Sequence, residues 1–251
     1  MPLVETESLV LKSHNLAEAD RIVVLFTRDH GVVRGVAKGI KRLNSKFGSS
    51  FEPFNTIRVA YFQKEERELV SIQNAELIRS NFAAASDPDT LNSFSYIADL
   101  LLGFSPPNDP NELLFRMVRA CFESSELTKE SLPAMQFYFE VWLLRLGGVL
   151  PDWEKCYTCS RVFESNDRPA IDSGQHFICE NCHQGRLTER VPNGWLTALQ
   201  NVRKLGPGDF AAVAASVATA VLLTSITRRI IERVLDRPLH AIRANAIQFT
   251  G

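Results

Sequence analysis

Over the first 80 positions apolar residues come in short runs broken by polar turns, a pattern that predicts strands. Leu9-Val10-Leu11 is followed by a polar break from His14 to Asp20. Ile22–Thr27 is a β-branched run, Asp29-His30-Gly31 a turn, and Val32–Lys38 a return strand, together a hairpin. Ile57–Phe62, a charged turn over Gln63–Glu68 and Leu69–Ile72 bring the expected strands to five. So few strands hide their edges best by closing, so a small antiparallel barrel is expected over residues 1–80. In its third strand Val33, Gly35 and Ala37 face one way, and Arg34 and Lys38 the other.

After residue 80 the rhythm changes to three and four. Asp87-Pro88-Asp89 opens a helix bearing Leu91, Phe94, Ile97, Leu100, Leu101 and Phe104, which Pro106-Pro107 ends. Asp109 and Pro110 read as the cap and first-turn proline of a second helix, with Leu113, Leu114, Met117, Val118, Cys121 and Phe122 on its apolar face. Ser131 and Pro133 open a third, rich in large residues from Phe137 to Leu146 and stopped by Gly147-Gly148. These three suggest a helical bundle. Farther on, Asn193-Gly194 starts a helix ending near Gly206-Pro207-Gly208, and one long helical stretch is expected from Asp209 to about Asp236.

Between the two helical stretches lies a different signal. Cys156 and Cys159 form one C-x2-C pair, Cys179 and Cys182 a second. This spacing suits four thiolates around a structural Zn2+, which favours a sulfur tetrahedron. Four protein ligands leave no position for a reactive water. Phe163 and Phe177 can cover the metal, Asp172-Ser173-Gly174 offers a hairpin turn, and His176 and His183 read either as spare ligands or, more plainly, as surface histidines near the site. The alternatives are two disulfides or four free thiols. Disulfides suit a secreted protein, yet Met1–Glu5 has neither the basic nor the apolar part of a signal peptide. A reducing cytoplasm is therefore expected, with Cys121 as a buried small hydrophobe.

The net charge is −1 over 251 residues, which conceals an uneven distribution. Residues 1–80 carry 12 Lys+Arg against 10 Asp+Glu, residues 81–155 carry 5 against 11, and residues 201–251 carry 7 against 3. From Gly31 through Phe51 there is no acid, while Arg34, Lys38, Lys41, Arg42 and Lys46 fall in that window beside Phe47 and Phe51. A mobile basic loop of this kind could follow a sugar–phosphate chain, its cations neutralising phosphates and its rings stacking on bases. The plainer alternative is a solvated loop with core phenylalanines. Near the C-terminus, Arg229, Arg233 and Arg237 share a helical face, with Arg228 and Arg243 adding to it, beside Ile226, Ile230 and Val234. That arrangement reads either as a solvated surface or as an arginine ridge along an apolar groove. No phosphate-cradling glycine loop, nucleophile elbow or H-E-x-x-H appears, so no catalytic residue is assigned.

Taken in order, these features resemble the bacterial RecO family of DNA repair and recombination mediators. The resemblance is carried by Leu9-Val10-Leu11, Glu18-Ala19-Asp20-Arg21, Thr27, Gly31, Ala37-Lys38-Gly39, Arg42, Ser45-Lys46, Glu52-Pro53-Phe54 and Glu76. Later come Phe139-Glu140, Leu143–Gly147 and Leu150-Pro151 leading into Cys156. It implies an α+β chain: an OB-fold β-barrel over 1–80, then a helical domain over 81–251 with an inserted four-cysteine zinc finger at about 153–188. It implies a non-enzymatic protein that binds single- and double-stranded DNA, anneals complementary strands and helps load RecA onto strands coated with single-stranded DNA-binding protein. Its implied partners are RecR, the acidic C-terminal tail of that coating protein and, indirectly, RecF and RecA, with no membrane. Arg34, Lys38, Lys41, Arg42 and Lys46, with Arg21, become the implied DNA contacts. Arg229, Arg233 and Arg237 become the implied tail groove, and the four cysteines hold one structural Zn2+. The contrasting reading is a zinc-ribbon scaffold that joins proteins without touching DNA.

Overall fold

The computed structural model describes residues 3–63, 68–124, 127–183, 185 and 189–239. The chain forms two compact units, one containing residues up to Glu123 and one running from Ser124 to Ala241. The division expected after residue 80 follows the change from strand to helix. Compactness divides the chain later, because the first three helices fold with the barrel.

Five strands make the first unit's barrel: β1 (Leu3–Asn15), β2 (Arg21–Thr27), β3 (Gly31–Ala37), β4 (Thr56–Phe62) and β5 (Leu69–Arg79). Their order, β1-β2-β3-β5-β4, closes on itself, as in an OB fold. The expectation of an all-antiparallel barrel needs correction. β3 and β5 pair in parallel, with Gly35 opposite Val70, and this pairing seals the sheet. β1 is also longer than its apolar centre, since it pairs with β2 on one side and β4 on the other. Of the charged turn expected at Gln63–Glu68, residues 64–67 lie outside the described residues.

Alternation fills the interior with Val10, Val23, Leu25, Val33, Ala37, Ile57, Val59, Tyr61, Val70 and Ile72. Phe47 and Phe51 join this cluster from the connection between β3 and β4, with ring centroids 5.4 Å apart. They are therefore core rings and not stacking surfaces. The connection itself is a succession of tight turns, Gly39 to Arg42, Arg42 to Ser45, Ser45 to Gly48 and Phe47 to Ser50, each closed by a backbone hydrogen bond. The loop expected to be mobile is thus a turn-built plug.

Outside the barrel pack α1 (Phe82–Ser86), α2 (Pro88–Phe104) and α3 (Glu112–Phe122). Phe54, with φ of 66°, meets Phe94 of α2 and Phe122 of α3 at 5.5 and 5.0 Å, and Phe26 of β2 meets Phe115 of α3 at 5.9 Å. Asp87 caps α2 by accepting from the Thr90 N–H. The cap of α3 is Asn111, not Asp109, and its side chain accepts from the Leu114 N–H. Leu113, expected on the apolar face, is exposed. Gly31 needs its glycine: with φ of +64°, a Cβ there would lie 2.3 Å from the Asp109 carbonyl oxygen.

The second unit is built on α4 (Leu132–Leu146), α6 (Trp195–Lys204), α7 (Pro207–Ala212) and α8 (Ala214–Leu235). The bundle expected over 81–150 is therefore split, with α1–α3 in the first unit and α4 in the second. The long stretch from Asp209 also divides, breaking at Val213 with ψ of 106° before α8 runs on to Asp236. Phe210 of α7 packs on Phe137 and Tyr138 of α4. Glu140 of α4 is fully buried, accepts from the Thr227 hydroxyl of α8 and pairs with Arg228. A buried carboxylate persists only with such partners.

Replacing Phe47 or Phe51 with alanine is expected to cost about 3–5 kcal/mol, as for other large buried aromatics. Urea unfolding checks this; an unchanged midpoint would place the rings outside the core.

Candidate nucleic-acid interface and metal centre

The six cations expected to contact DNA gather around the end of β3. Arg34, Lys38, Lys41, Arg42 and Lys46 lie in the β3 strand and the plug that follows it, and Arg34, Lys41 and Arg42 are among the residues turned to water or its edge. Arg21 is half-buried, because its register opposite Ala37 puts it in the inward-facing series of β2. Hydrogen bonds draw three elements together here. The Gly39 N–H donates to Asp20 Oδ1 at 2.8 Å, and the Lys41 N–H to the Ala19 carbonyl at 3.1 Å, joining the plug to the β1–β2 turn. Lys46 Nζ donates to the Gln73 carbonyl of β5 at 2.5 Å and lies over the Phe47 ring. The plug thus meets the β1–β2 turn, which carries Glu18 and Asp20, on one side and the middle of β5 on the other. His14 has its pKa lowered by burial and by Lys12 and Arg34, which keeps the imidazole neutral.

The pairing of charges separates these residues from the rest of the unit. Lys12 pairs with Asp99, Arg28 with Glu112 and Glu7, Arg58 with Glu5 and Glu76, Arg79 with Glu123, and Arg119 with Glu7 and Glu123. Among the described residues none of the six forms an ion pair, and Arg116 on α3 is the other such cation in this unit. Cations without carboxylate partners keep their charge available to a polyanion.

In the second unit, the four sulfurs of Cys156, Cys159, Cys179 and Cys182 lie within 4.8 Å of one another, and no other metal-binding group occurs among the described residues. Cys159 and Cys179 Sγ are 3.8 Å apart. A tetrahedron with metal–sulfur bonds of about 2.3 Å has edges of about 3.8 Å, so the donor set fits a tetrahedral soft-ligand ion. Local backbone makes the knuckles: Ser160 takes φ of 59° and its N–H donates to the Cys156 carbonyl, while the Cys182 N–H donates to the Cys179 carbonyl. Burial opposes a Cys156 thiolate, but N–H groups of Cys179, Cys159 and Thr158 outweigh it and bring its pKa to about 6. The neighbouring sulfurs of Cys179 and Cys159, with burial, push Cys182 up to about 12. A divalent cation removes that conflict by accepting all four as thiolates.

A small aromatic core supports the centre. β6 (Ala170–Ile171) and β7 (Phe177–Ile178) form the hairpin around the Asp172–Gln175 turn, and the four-residue α5 (Glu180–His183) carries Cys182. Trp153 stacks on Phe177 at 5.0 Å, and Trp195 meets Phe163 and Phe177 edge-on. Neither histidine is among the ligands. His176 stacks on the exposed Tyr157 and pairs with Asp172, while His183 is buried and accepts from the Gly185 N–H. A polar cavity of about 350 Å³ beside Cys179 is lined by Arg161, Arg168 and Arg190, with Asp167 and Glu180 offsetting two of them.

The arginine ridge does not stand free. Arg229 donates to Gln175 Oε1 at 2.7 Å and to Glu189 Oε1 at 2.6 Å. Arg233 donates to the Ser173 and Gly174 carbonyls. Both fasten the finger's hairpin to α8, a contact between residues far apart in sequence that helical periodicity could not reveal. Ile226 and Ile230 are buried and serve packing, and of that apolar face Val234 is the residue left exposed. Arg237 is exposed with no side-chain partner among the described residues, and Arg243 lies outside them. Arg229→Ala is expected to weaken the hairpin by about 1 kcal/mol. Hydrogen exchange at the Ile171 and Asp172 amides should quicken about fivefold, with the barrel amides unchanged.

Comparison with known proteins agrees along the whole chain. The profile for Recombination protein O N terminal matches residues 1–81, and that for Recombination protein O C terminal matches residues 85–242. A protein named DNA repair protein RecO from Koribacter versatilis (strain Ellin345) is 31% identical over 74% of this chain and 75% of its own. One of the same name from Geobacter metallireducens is 29% identical over 96% of both chains. Another, from Synechococcus sp. (strain JA-3-3Ab), is 31% identical over 93% of this chain and 79% of its own. The barrel, the helices behind it and the four-sulfur finger meet in one known lineage: the chain belongs to the RecO family of recombination proteins.

Proposed function

We propose that this protein is a non-enzymatic DNA repair and recombination mediator that binds single- and double-stranded DNA and anneals complementary strands. The observation that carries this reading is the gathering, among the described residues, of cations without ion pairs around β3 in a unit whose other described cations, Arg116 apart, are paired with acids. Arg34, Lys38, Lys41, Arg42 and Lys46 would neutralise phosphates and release counterions, with Arg21 supporting the end of the barrel. Two strands repel each other through their phosphates. A surface that screens one strand lowers that barrier and leaves base pairing to choose the complement. Because Phe47 and Phe51 are buried, affinity would come mainly from charge and would be steeply salt-dependent.

Family membership supports the remaining parts: loading of RecA onto strands coated with single-stranded DNA-binding protein, action with RecR and, indirectly, RecF, and work in the cytoplasm. Among the described residues no helix is long and apolar enough to cross a membrane. Recruitment by the acidic tail of the coating protein would use Arg237 and its surroundings, since Arg229 and Arg233 already hold the finger. The metal is Zn2+ in a structural role. Cys156, Cys159, Cys179 and Cys182 hold it, and it fixes a hairpin whose own core is small.

Lys41→Glu/Arg42→Glu should abolish accelerated annealing of complementary oligonucleotides, bare or coated, while folding and metal content stay as in the parent. The slope of log affinity against log salt on single strands should become shallower by roughly 1.4. A parent protein that neither binds nor anneals DNA would establish a zinc-ribbon scaffold instead. Elemental analysis of the purified protein should find one zinc per chain, lost in Cys179→Ser together with protection of the finger from proteolysis.

A further inference from the structure

We infer that Leu43 is a wedge that inserts between neighbouring bases of a single strand held by the cations around it. This inference rests on the nucleic-acid reading of the basic face and assigns that face a contact to the bases. Leu43 is fully exposed, so its side chain adds nothing to the core. It stands at the corner of the tight turn closed by the Ser45 N–H donating to the Arg42 carbonyl at 3.0 Å. It is the large apolar side chain of the β3–β4 connection left in water, since Phe47, Phe51 and Phe54 are buried. Arg42 precedes it, Lys41 and Lys46 flank the turn, and none of the three has an acidic partner among the described residues.

The mount is fixed on both sides. Toward the N-terminus the Lys41 N–H is tied to Ala19 and Lys41 Nζ to the Ala17 carbonyl at 3.2 Å. Toward the C-terminus Lys46 is tied to Gln73, and Phe47 is sunk into the barrel. Leu16, half-exposed in the adjoining β1–β2 turn, adds a second apolar group nearby, tied by the Leu16 N–H to the Asp20 carbonyl. Apolar wedges on basic surfaces are a known means of separating stacked bases. A leucine has no donor or acceptor, so it cannot read base edges and is indifferent to sequence. Insertion would bury the isobutyl group against two base faces and leave those bases unstacked. Bases in that state are ready to meet a complement.

The test uses the full chain and a single-stranded oligonucleotide carrying 2-aminopurine, whose emission rises when its neighbours unstack. Binding of the parent protein should raise emission. Leu43→Ala should bind about fivefold more weakly with an unchanged salt slope, and its complex at saturation should emit like the free strand. Leu43→Met should restore the rise. If the parent binds and Leu43→Ala gives the same affinity and emission, the wedge is overturned while the basic face stands. If emission rises only on the matching duplex, the single-strand assignment is overturned. If the parent does not bind, the reading of the basic face falls and the wedge with it.

Discussion

Barrel closure is the constraint on which the first unit depends. In this barrel the five strands hide their edges because β5 lies between β3 and β4, pairing parallel with one and antiparallel with the other. β3 and β4, consecutive in sequence, are then not neighbours, and the chain joining them has to pass the end of the barrel. Its residues face two environments. Phe47 and Phe51 turn inward and complete the core, with Ile40 packed against it, while Lys38, Lys41, Arg42, Leu43, Asn44 and Lys46 turn outward into water. Removing apolar rings from water fixes the connection, and fixing it gives the charged side chains a stable base.

Charge distribution follows from the same geometry. The helices behind the barrel supply Asp99, Glu112 and Glu123, and these acids take up Lys12, Arg28, Arg79 and Arg119. Gly31–Phe51 contains no acid, and among the described residues its cations form no ion pair. An almost neutral chain thereby gathers cations around the end of β3, beside Glu18 and Asp20 of the β1–β2 turn. In the second unit arginines serve a different end. Arg229 and Arg233 donate to the finger's turn and to Glu189, so the hairpin carrying Cys179 is held by hydrogen bonds from α8 as well as by the sulfur cluster.

Features set by local sequence were legible in it. The four cysteines, the turn at Asp172-Ser173-Gly174, the helix start at Asp87-Pro88-Asp89, the stop at Gly147 and the alternation of β3 each depend on neighbours a few residues away, and each was met. Features set by distant contacts were not. The parallel pairing of β3 with β5 leaves no periodic trace, and the same alternation serves either direction. Phe47 and Phe51 among lysines look like a stacking surface until the barrel end they fill is known. The packing of α1–α3 with the barrel was hidden because the helices on either side of Glu123 share one rhythm while packing on different partners. The arginine ridge was found by periodicity, but its engagement depends on a hairpin some 55 residues earlier, a separation that spacing rules do not reach.

The pairing of Gly35 with Val70 also bears on how the chain comes into being. During synthesis β1, β2 and β3 can pair as a meander as soon as they emerge, but both outer edges of that meander stay open. β1 waits for β4, and β3 waits for β5, so the outer edge of β1 is covered only once Thr56–Phe62 has been made and that of β3 only once Leu69–Ser71 has followed. Contacts of such long sequence separation form late and slowly. While they form, the open edges of two nascent chains can pair with each other as readily as with their own missing strands. Closure of the barrel is therefore a race between intramolecular pairing and aggregation, decided before the helices of the second unit exist.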